Sequence, residues 1–344
     1  MFNISQRKTE HIKLCLSDEI AYKEKTNGFE NYEFPHCAST EVNPKEIDTS
    51  VDFFSKKINF PFLISCMTGG AKESERINEQ LATVAKEFNI PIGVGSQRQA
   101  LSNDIFLNSY KVIRENAGDV PILGNIGAAQ VAKSKNPVSD IQKLIEMISA
   151  DAMVIHLNPL QEILQKEGEP DFIGLQKNVE KICKKISVPI IIKEVGSGIS
   201  ADVAKRFLNL GVKGIDVAGS GGTSWAKVEM KRHSGNDDYF SEWGLPTSYC
   251  VRTNYKLKKK HDFLLIASGG INHFADIAKA LVLGADIAAA ARIVLIELIN
   301  SGLENLILML NFWFENIKKI MYLSGCSNLS EFHKIKLIKK DKLF

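Results

Sequence analysis

The chain has 344 residues, 44% of them hydrophobic and 24% charged, which suits one large α/β domain or two smaller ones. Its 43 basic and 40 acidic residues leave a net charge of +3, too small to argue for a nucleic-acid partner. The six cysteines (15, 37, 66, 183, 250 and 326) form no Cys-x-x-Cys pair, so a reduced, cytoplasmic protein is expected rather than a disulfide scaffold or a zinc site.

The start of the chain carries Arg7, Lys8, Glu10, His11 and Lys13, so no secretory leader is expected. Residues 1–55 lack regular alternation and read as an N-terminal extension. From there short apolar runs recur at residues 62–66, 91–94, 121–123, 152–157, 189–192, 214–218, 263–267 and 286–290. Several are entered through Pro, and helical patterns at 73–88, 137–149, 171–186 and 200–210 lie between them. Eight alternations of strand and helix predict a (β/α)8 barrel over residues 56–344. A doubly wound sheet would use fewer strands and open on a Gly-x-Gly-x-x-Gly turn, which the sequence lacks. The apolar segment 287–299 is interrupted by Arg292 and Glu297, so no membrane span is expected. Residues 303–317 predict a C-terminal helix that packs on the barrel or on a partner.

The strand ends share a character. They read Met67-Thr-Gly-Gly70, Gly95-Ser-Gln-Arg98, Gly124-Asn-Ile-Gly127, His156-Leu-Asn-Pro-Leu-Gln-Glu162, Lys193-Glu-Val-Gly196, Gly219-Ser-Gly-Gly-Thr-Ser-Trp225, Ser268-Gly-Gly270 and Ala291-Arg292. Glycines let backbone approach a ligand closely, while amides, hydroxyls and Lys supply donors around it. Barrels bind their ligands at this end.

Ser268-Gly269-Gly270 and Ala291-Arg292 follow the seventh and eighth strands, where barrels bind phosphate. Lys193 ends an otherwise apolar strand and needs an anionic or electron-rich partner, with a salt bridge to Glu194 or Glu162 as the plainer reading. The long irregular stretch from Thr223 to Gly244 has the length of a lid. On it Trp225 serves either packing or the shielding of a cation. Arg7, Lys8, His11 and Arg98 are basic groups outside this first phosphate site, and Arg7 and Lys8 read as a solvated N-terminus unless a second phosphate must be held. Glu162 is either a helix-start carboxylate or a Mg²⁺ ligand.

Together these motifs, with Arg7-Lys8-x-x-His11 and Trp243-Gly-Leu-Pro-Thr247, resemble the type 2, FMN-dependent isopentenyl-diphosphate isomerases over nearly the whole chain. The segment from His156 to Glu162 is the most specific; the glycine-rich pieces fit many flavin barrels. The resemblance implies interconversion of isopentenyl and dimethylallyl diphosphate with reduced FMN, Mg²⁺ and NADPH as the usual reductant, and no net redox change. It implies FMN held by Cys66, Met67, Thr68, Ser96, Asn125, Lys193 and Thr223, with its phosphate at Gly270, Ile271, Asn272, Ala291 and Arg292. It further implies substrate at Arg7, Lys8, His11, Arg98, His156, Asn158 and Gln161 on an extension covering residues 1–55 and the barrel mouth. Catalytic parts fall to Gln161, Trp225 and His156, and the metal to Glu162. A tetramer or octamer is also implied. One departure is visible: where the family commonly has His-x-Ala-Leu-Pro-Glu, this chain has His36-Cys-Ala-Ser-Thr-Glu41.

The rival reading is an FMN-dependent oxidoreductase on the same barrel. Hydroxy-acid oxidases need a His and an Arg near the end of strand seven, but here His273 has no adjacent Arg. Nucleotide dehydrogenases need a nucleophilic Cys after strand six, and this loop has none. A barrel that merely stores flavin would have little use for Gln161, Glu162 and an N-terminal basic pair.

Overall fold

The computed structural model describes residues 4–232 and 239–343. Residues 233–238, part of the expected lid, lie outside the described residues.

Eight parallel strands close into a barrel in sequence order: β1 (Phe62–Ile64), β2 (Ile92–Gly93), β3 (Ile122–Gly127), β4 (Ala152–Leu157), β5 (Ile190–Glu194), β6 (Gly214–Asp216), β7 (Leu264–Ala267) and β8 (Ile287–Ala290), which pairs back onto β1. The (β/α)8 barrel expected from the sequence is present. Strand bounds differ where local geometry decides them. β3 runs through Gly127 because its ladder continues to the pair Gly127↔His156, and β5 takes in Lys193 and Glu194 through their pairing with His156 and Leu157. β6 stops at Asp216, and two residues on Ala218 turns left-handed at φ 35°.

Helices cover the outside. α1 (Ile4–Cys15) precedes the barrel, and α2 (Lys72–Phe88) shows why its segment folds so: Ile77, Leu81 and Val84 recur on one face and are buried. It ends at left-handed Asn89, φ 48°. Then follow α3 (Asn108–Ala117), α4 (Ala128–Lys133), α5 (Pro137–Ile148) and α6 (Pro159–Leu164). The helix expected from 171 begins instead as α7 (Leu175–Lys185), because Gly174 sits at φ 90° and breaks the first turn. α8 (Ala201–Leu208), α9 (Trp225–Arg232), α10 (Thr247–Tyr255), α11 (Phe274–Val282) and α12 (Arg292–Ser301) complete the ring.

The N-terminal end of the barrel is plugged by an antiparallel hairpin, residues 51–58, whose Phe53 and Ile58 join Leu63, Leu123, Val154, Ile191 and Ile266 inside the barrel. Lys56 fastens it to Asp119 O and Asp151, just before β3 and β4. The C-terminal helix α13 (Leu303–Leu323) buries Leu306, Leu310, Trp313, Phe314 and Ile317 against the barrel, while Leu308 and Phe312 face outward. Beyond it, Ile338–Lys339 pair with Tyr32–Glu33, tying the chain's end to the extension. The opposite end of the barrel is left to the site.

Candidate functional site

At the C-terminal mouth the strand ends and α1 enclose a cavity of about 290 Å³. All the residues singled out from the sequence as site members line it. The altered segment from His36 to Glu41 does not: Cys37 N–H binds Leu323 O at the end of α13, 2.8 Å away.

One wall is built of backbone. Gly269 and Gly270 have φ of 101° and 70°, which side-chain-bearing residues rarely adopt. A Cβ on Gly269 would lie 2.0 Å from Gly219 O, and one on Gly270 2.5 Å from Gly221 O, so the two glycine turns pack backbone against backbone. Beside them α12 starts with no side-chain cap on its N–H groups. Arg292 lines this wall, yet its guanidinium also clamps Cys15 O (2.9 Å), Ser17 O (2.8 Å) and Asp18 (2.8 Å), holding the end of α1 over the mouth.

The top layer of the barrel carries the charge. His156, Lys193 and Asp216 are successive register partners on β4, β5 and β6. Lys193 Nζ lies 3.3 Å from Asp216 Oδ2 and donates to Glu194 O at 3.0 Å. Its acidic partner is thus Asp216, not the Glu194 or Glu162 carboxylate weighed from the sequence. Glu194 instead accepts the N–H groups of Val195, Gly196 and Ser197 and shapes the turn after β5. His156 shares a hydrogen bond with Asn125 Oδ1 at 2.7 Å. Burial, then the charges of Lys193 and Lys8, lower its imidazole to about 4, so it is neutral at ordinary pH.

The opposite wall comes from α1. Lys8 Nζ is hydrogen-bonded to Gly69 O (2.6 Å), Ser96 O (3.0 Å) and the Tyr110 hydroxyl (2.9 Å). Burial, and then neighbouring Arg7, lower its ammonium to about 7. Arg98 pairs with Glu169 at 2.8 Å. His11 sits edge-on to Trp225, with ring centroids 5.1 Å apart.

Between the walls a polar chain runs through α6 and α9. Asn158 Nδ2 donates to Glu162 Oε1 (2.8 Å) and Gln161 Oε1 (3.2 Å). Gln161 Nε2 donates to Glu229 Oε1 (2.8 Å), and Arg232 holds Glu229 Oε2 (2.7 Å) and Glu167 (2.8 Å). Burial would raise the Glu229 carboxyl, but contact with His11 and the donors Gln161 and Arg232 bring it down to about 2, so it is ionised. Sequence reading missed Glu229, Asp216, Glu169 and Tyr110. Glu229 has one signal: it falls four residues after Trp225, on the same face of α9.

This geometry fits a flavin nucleotide. The cavity offers glycine backbone on one side and Lys193 at its floor, and its lining side chains include donors without a protein partner at Arg7 Nε and Gln130 Nε2. Among the described residues no cluster of three or more His, Cys, Asp or Glu could hold a metal by itself, so Glu162 would need ligands from a substrate.

Fold and site together define a flavin-type barrel enzyme. The sequence profile of the FMN-dependent dehydrogenase family matches residues 2–112 and 118–339. A protein of Pelodictyon phaeoclathratiforme named isopentenyl-diphosphate delta-isomerase is 40% identical over 98% of this chain and 97% of its own. One of the same name from Chlorobium luteolum is 42% identical over 95% and 94%, and one from Methanosarcina mazei 41% over 96% and 90%. The chain belongs to the FMN-dependent dehydrogenase family and, within it, to the isopentenyl-diphosphate delta-isomerases. Solved structures share the fold: a putative lactate oxidase of Pediococcus acidilactici superposes with a TM-score of 0.68 at 13% identity, covering 98% of this chain and 95% of that one. A flavocytochrome b2 variant with pyruvate bound gives 0.67 at 19%, covering 92% and 78%.

Proposed function

We propose that the chain interconverts isopentenyl and dimethylallyl diphosphate in isoprenoid biosynthesis, with FMN, Mg²⁺ and NADPH. One observation carries the reading: a single cavity joins the flavin-suited wall to a cationic wall from α1, with Gln161 and Glu162 between them. Moving the double bond requires a proton added at one carbon and another removed elsewhere. Reduced FMN would supply an acid–base group beside the alkene without passing electrons on.

The chain's own residues then have separate parts. Cys66, Met67, Thr68, Ser96, Asn125, Lys193 and Thr223 would hold the flavin ring, and the turns at Gly270–Asn272 and Ala291–Arg292 its phosphate. Arg7, Lys8 and Arg98 would take the diphosphate by charge-assisted hydrogen bonds. Glu162, oriented by Asn158 and by Glu169 N–H (2.7 Å), would hold Mg²⁺ against the same diphosphate, a one-carboxylate arrangement that suits this ion. Neutral His156 and Asn158 would orient the substrate rather than donate protons as acids. Gln161 is a poor acid in water, and Glu229, held ionised at about 2, is too weak a base to take a proton through it. Glu229 would instead anchor the Gln161 NH₂ so that the amide keeps one orientation toward the substrate. Trp225 and His11 would close the cavity over the isoprenoid and shield a developing positive charge.

The reading extends to residues 1–55 as a substrate-binding extension, to residues 56–344 as the catalytic barrel, and to a cytoplasmic homo-oligomer, tetramer or octamer, for which Leu308 and Phe312 are exposed on α13. Among the described residues no helix is long and apolar enough to cross a membrane. A hydroxy-acid oxidoreductase is disfavoured by His273, which is exposed and caps α11 by accepting Ala275 N–H at 3.2 Å. The test is to assay purified protein with isopentenyl diphosphate, Mg²⁺ and NADPH, with and without FMN. Dimethylallyl diphosphate should form without stoichiometric NADPH use, and protein loaded with FMN should be yellow and release it intact on denaturation. Absence of product with flavin bound and reduced would overturn the assignment.

A further inference from the structure

We infer that Asp216 is a positioning residue for Lys193, and that it sets how strongly the reduced form of a bound flavin is held. The inference rests on the reading of Lys193 as a flavin ligand. Lys193 lines the cavity; Asp216 lies behind it, does not line the cavity, and is 2% exposed. The two are register partners on β5 and β6, so the ladder itself sets their side chains on the same inward face. Asp216 divides its carboxylate: Oδ2 faces Lys193 Nζ at 3.3 Å, and Oδ1 accepts from Ser268 Oγ at 2.5 Å.

A buried ion pair is a weak source of stability, since desolvating two charges offsets most of their attraction. Packing alone is therefore a poor reason for Asp216 in a layer whose neighbour, Ile266, is apolar. An anion at 3.3 Å does two things to the Lys193 ammonium: it fixes where the charge sits, and it offsets part of the field reaching the cavity. The Ser268 hydroxyl weakens that offset by sharing the carboxylate. A reduced flavin carries more negative charge than an oxidised one, so a bare lysine would favour the reduced form most. Asp216 moderates that preference. In a reaction that needs a proton given and taken back, the moderation matters, because negative charge held too firmly makes a poor base.

The test is the midpoint potential of the full-length protein loaded with FMN, read by equilibration with a redox dye. Asp216→Asn should raise it by about 30 mV or more, a tenfold change in the ratio of reduced to oxidised flavin for a two-electron couple. Lys193→Met should lower it, and in that background Asp216→Asn should produce at most half its original shift. An unchanged or lower potential in Asp216→Asn overturns the inference, and so does an equal rise in both backgrounds. If Lys193→Met alone leaves the potential unchanged, the reading of Lys193 falls first, whereas a response there with none to Asp216→Asn sinks only the role of Asp216. Should Asp216→Asn fail to fold or to hold FMN, Asp216→Ser carries the test with the same sign, since it too removes the charge behind Lys193; no rise in that variant overturns the inference.

Discussion

The Gln161 amide donates to the fully buried carboxylate of Glu229 at 2.8 Å, and this contact fixes which end of the amide faces which neighbour. A carboxylate accepts only, so the Gln161 NH₂ turns to it and the Gln161 carbonyl turns to Asn158. Gln161→Ala should lower kcat by about 10²-fold, on the scale of acid–base groups, with FMN affinity nearly unchanged. Glu229→Gln removes the charge but keeps the shape, and should lower kcat in the same direction while KM moves less. A Glu229→Gln variant with normal kcat would confine Glu229 to structural support.

Lys8 gives the pH dependence. Burial first, and the charge of Arg7 second, hold it near 7 against an ordinary value of 10.5. As pH rises through about 7 the free protein loses this cation, so kcat/KM for a diphosphate should fall on the alkaline side. Stability runs the other way: between about 7 and 10.5 the unfolded chain binds the proton and the folded chain does not, so this group's contribution to stability rises with pH. Lys8→Met should flatten the alkaline limb of the kcat/KM profile. Replacing Arg7 and Lys8 together by Ala should raise KM at least about tenfold, given about 1.5–3 kcal/mol for each charge-assisted contact, while FMN stays bound. Unchanged substrate kinetics in the double variant would return both to a structural role.

These side chains were legible to different degrees, for physical reasons. The eight strands were visible because parallel strands buried on both faces read as apolar runs, and the ligand end because polar and glycine residues follow each run. Strand ends were misjudged at β3 and β5, where polar residues continue the ladder into the site. Asp216 and Glu229 stayed hidden because each is a lone carboxylate whose partner is brought by a different strand or helix: Lys193 is 23 residues away from the first and Gln161 68 from the second. The motif Gly95-Ser-Gln-Arg98 holds no acid, and the partner of Arg98, Glu169, enters from a loop 71 residues on. Long-range charge pairing leaves no local pattern.

Glu162 should govern the metal. Its two oxygens are already oriented by Asn158 and by Glu169 N–H, so the carboxylate meets a cation without reorganising. Glu162→Gln removes the charge at nearly the same shape and keeps one of the two contacts, since its NH₂ cannot accept from the second donor. The Mg²⁺ concentration giving half-maximal rate should rise by tenfold or more, while the flavin spectrum of the loaded protein stays the same. A Glu162→Gln variant with an unshifted Mg²⁺ dependence would mean that the metal binds elsewhere.

Phe314 tests the scaffold apart from the chemistry. It is 1% exposed on the inner face of α13 and stacks on Phe60 at 4.0 Å and 10°. It also meets Phe62 of β1 and Phe88 of α2 edge-on, at 5.8 and 5.2 Å. One ring therefore joins the C-terminal helix to the first strand and the first helix of the barrel. Removing it leaves a cavity bounded by three aromatic rings, two of them on rigid elements that collapse poorly into the space. Phe314→Ala should cost about 3–5 kcal/mol, at the range for buried aromatic truncations. The cost should appear as a lower denaturant midpoint and a lower Tm, with KM unchanged at temperatures where the variant is folded, because no residue of this cluster lines the cavity. A loss below about 1 kcal/mol would mean that α13 adds little to the stability of the barrel; a raised KM at full folding would mean that the helix reaches the site through the strands it covers.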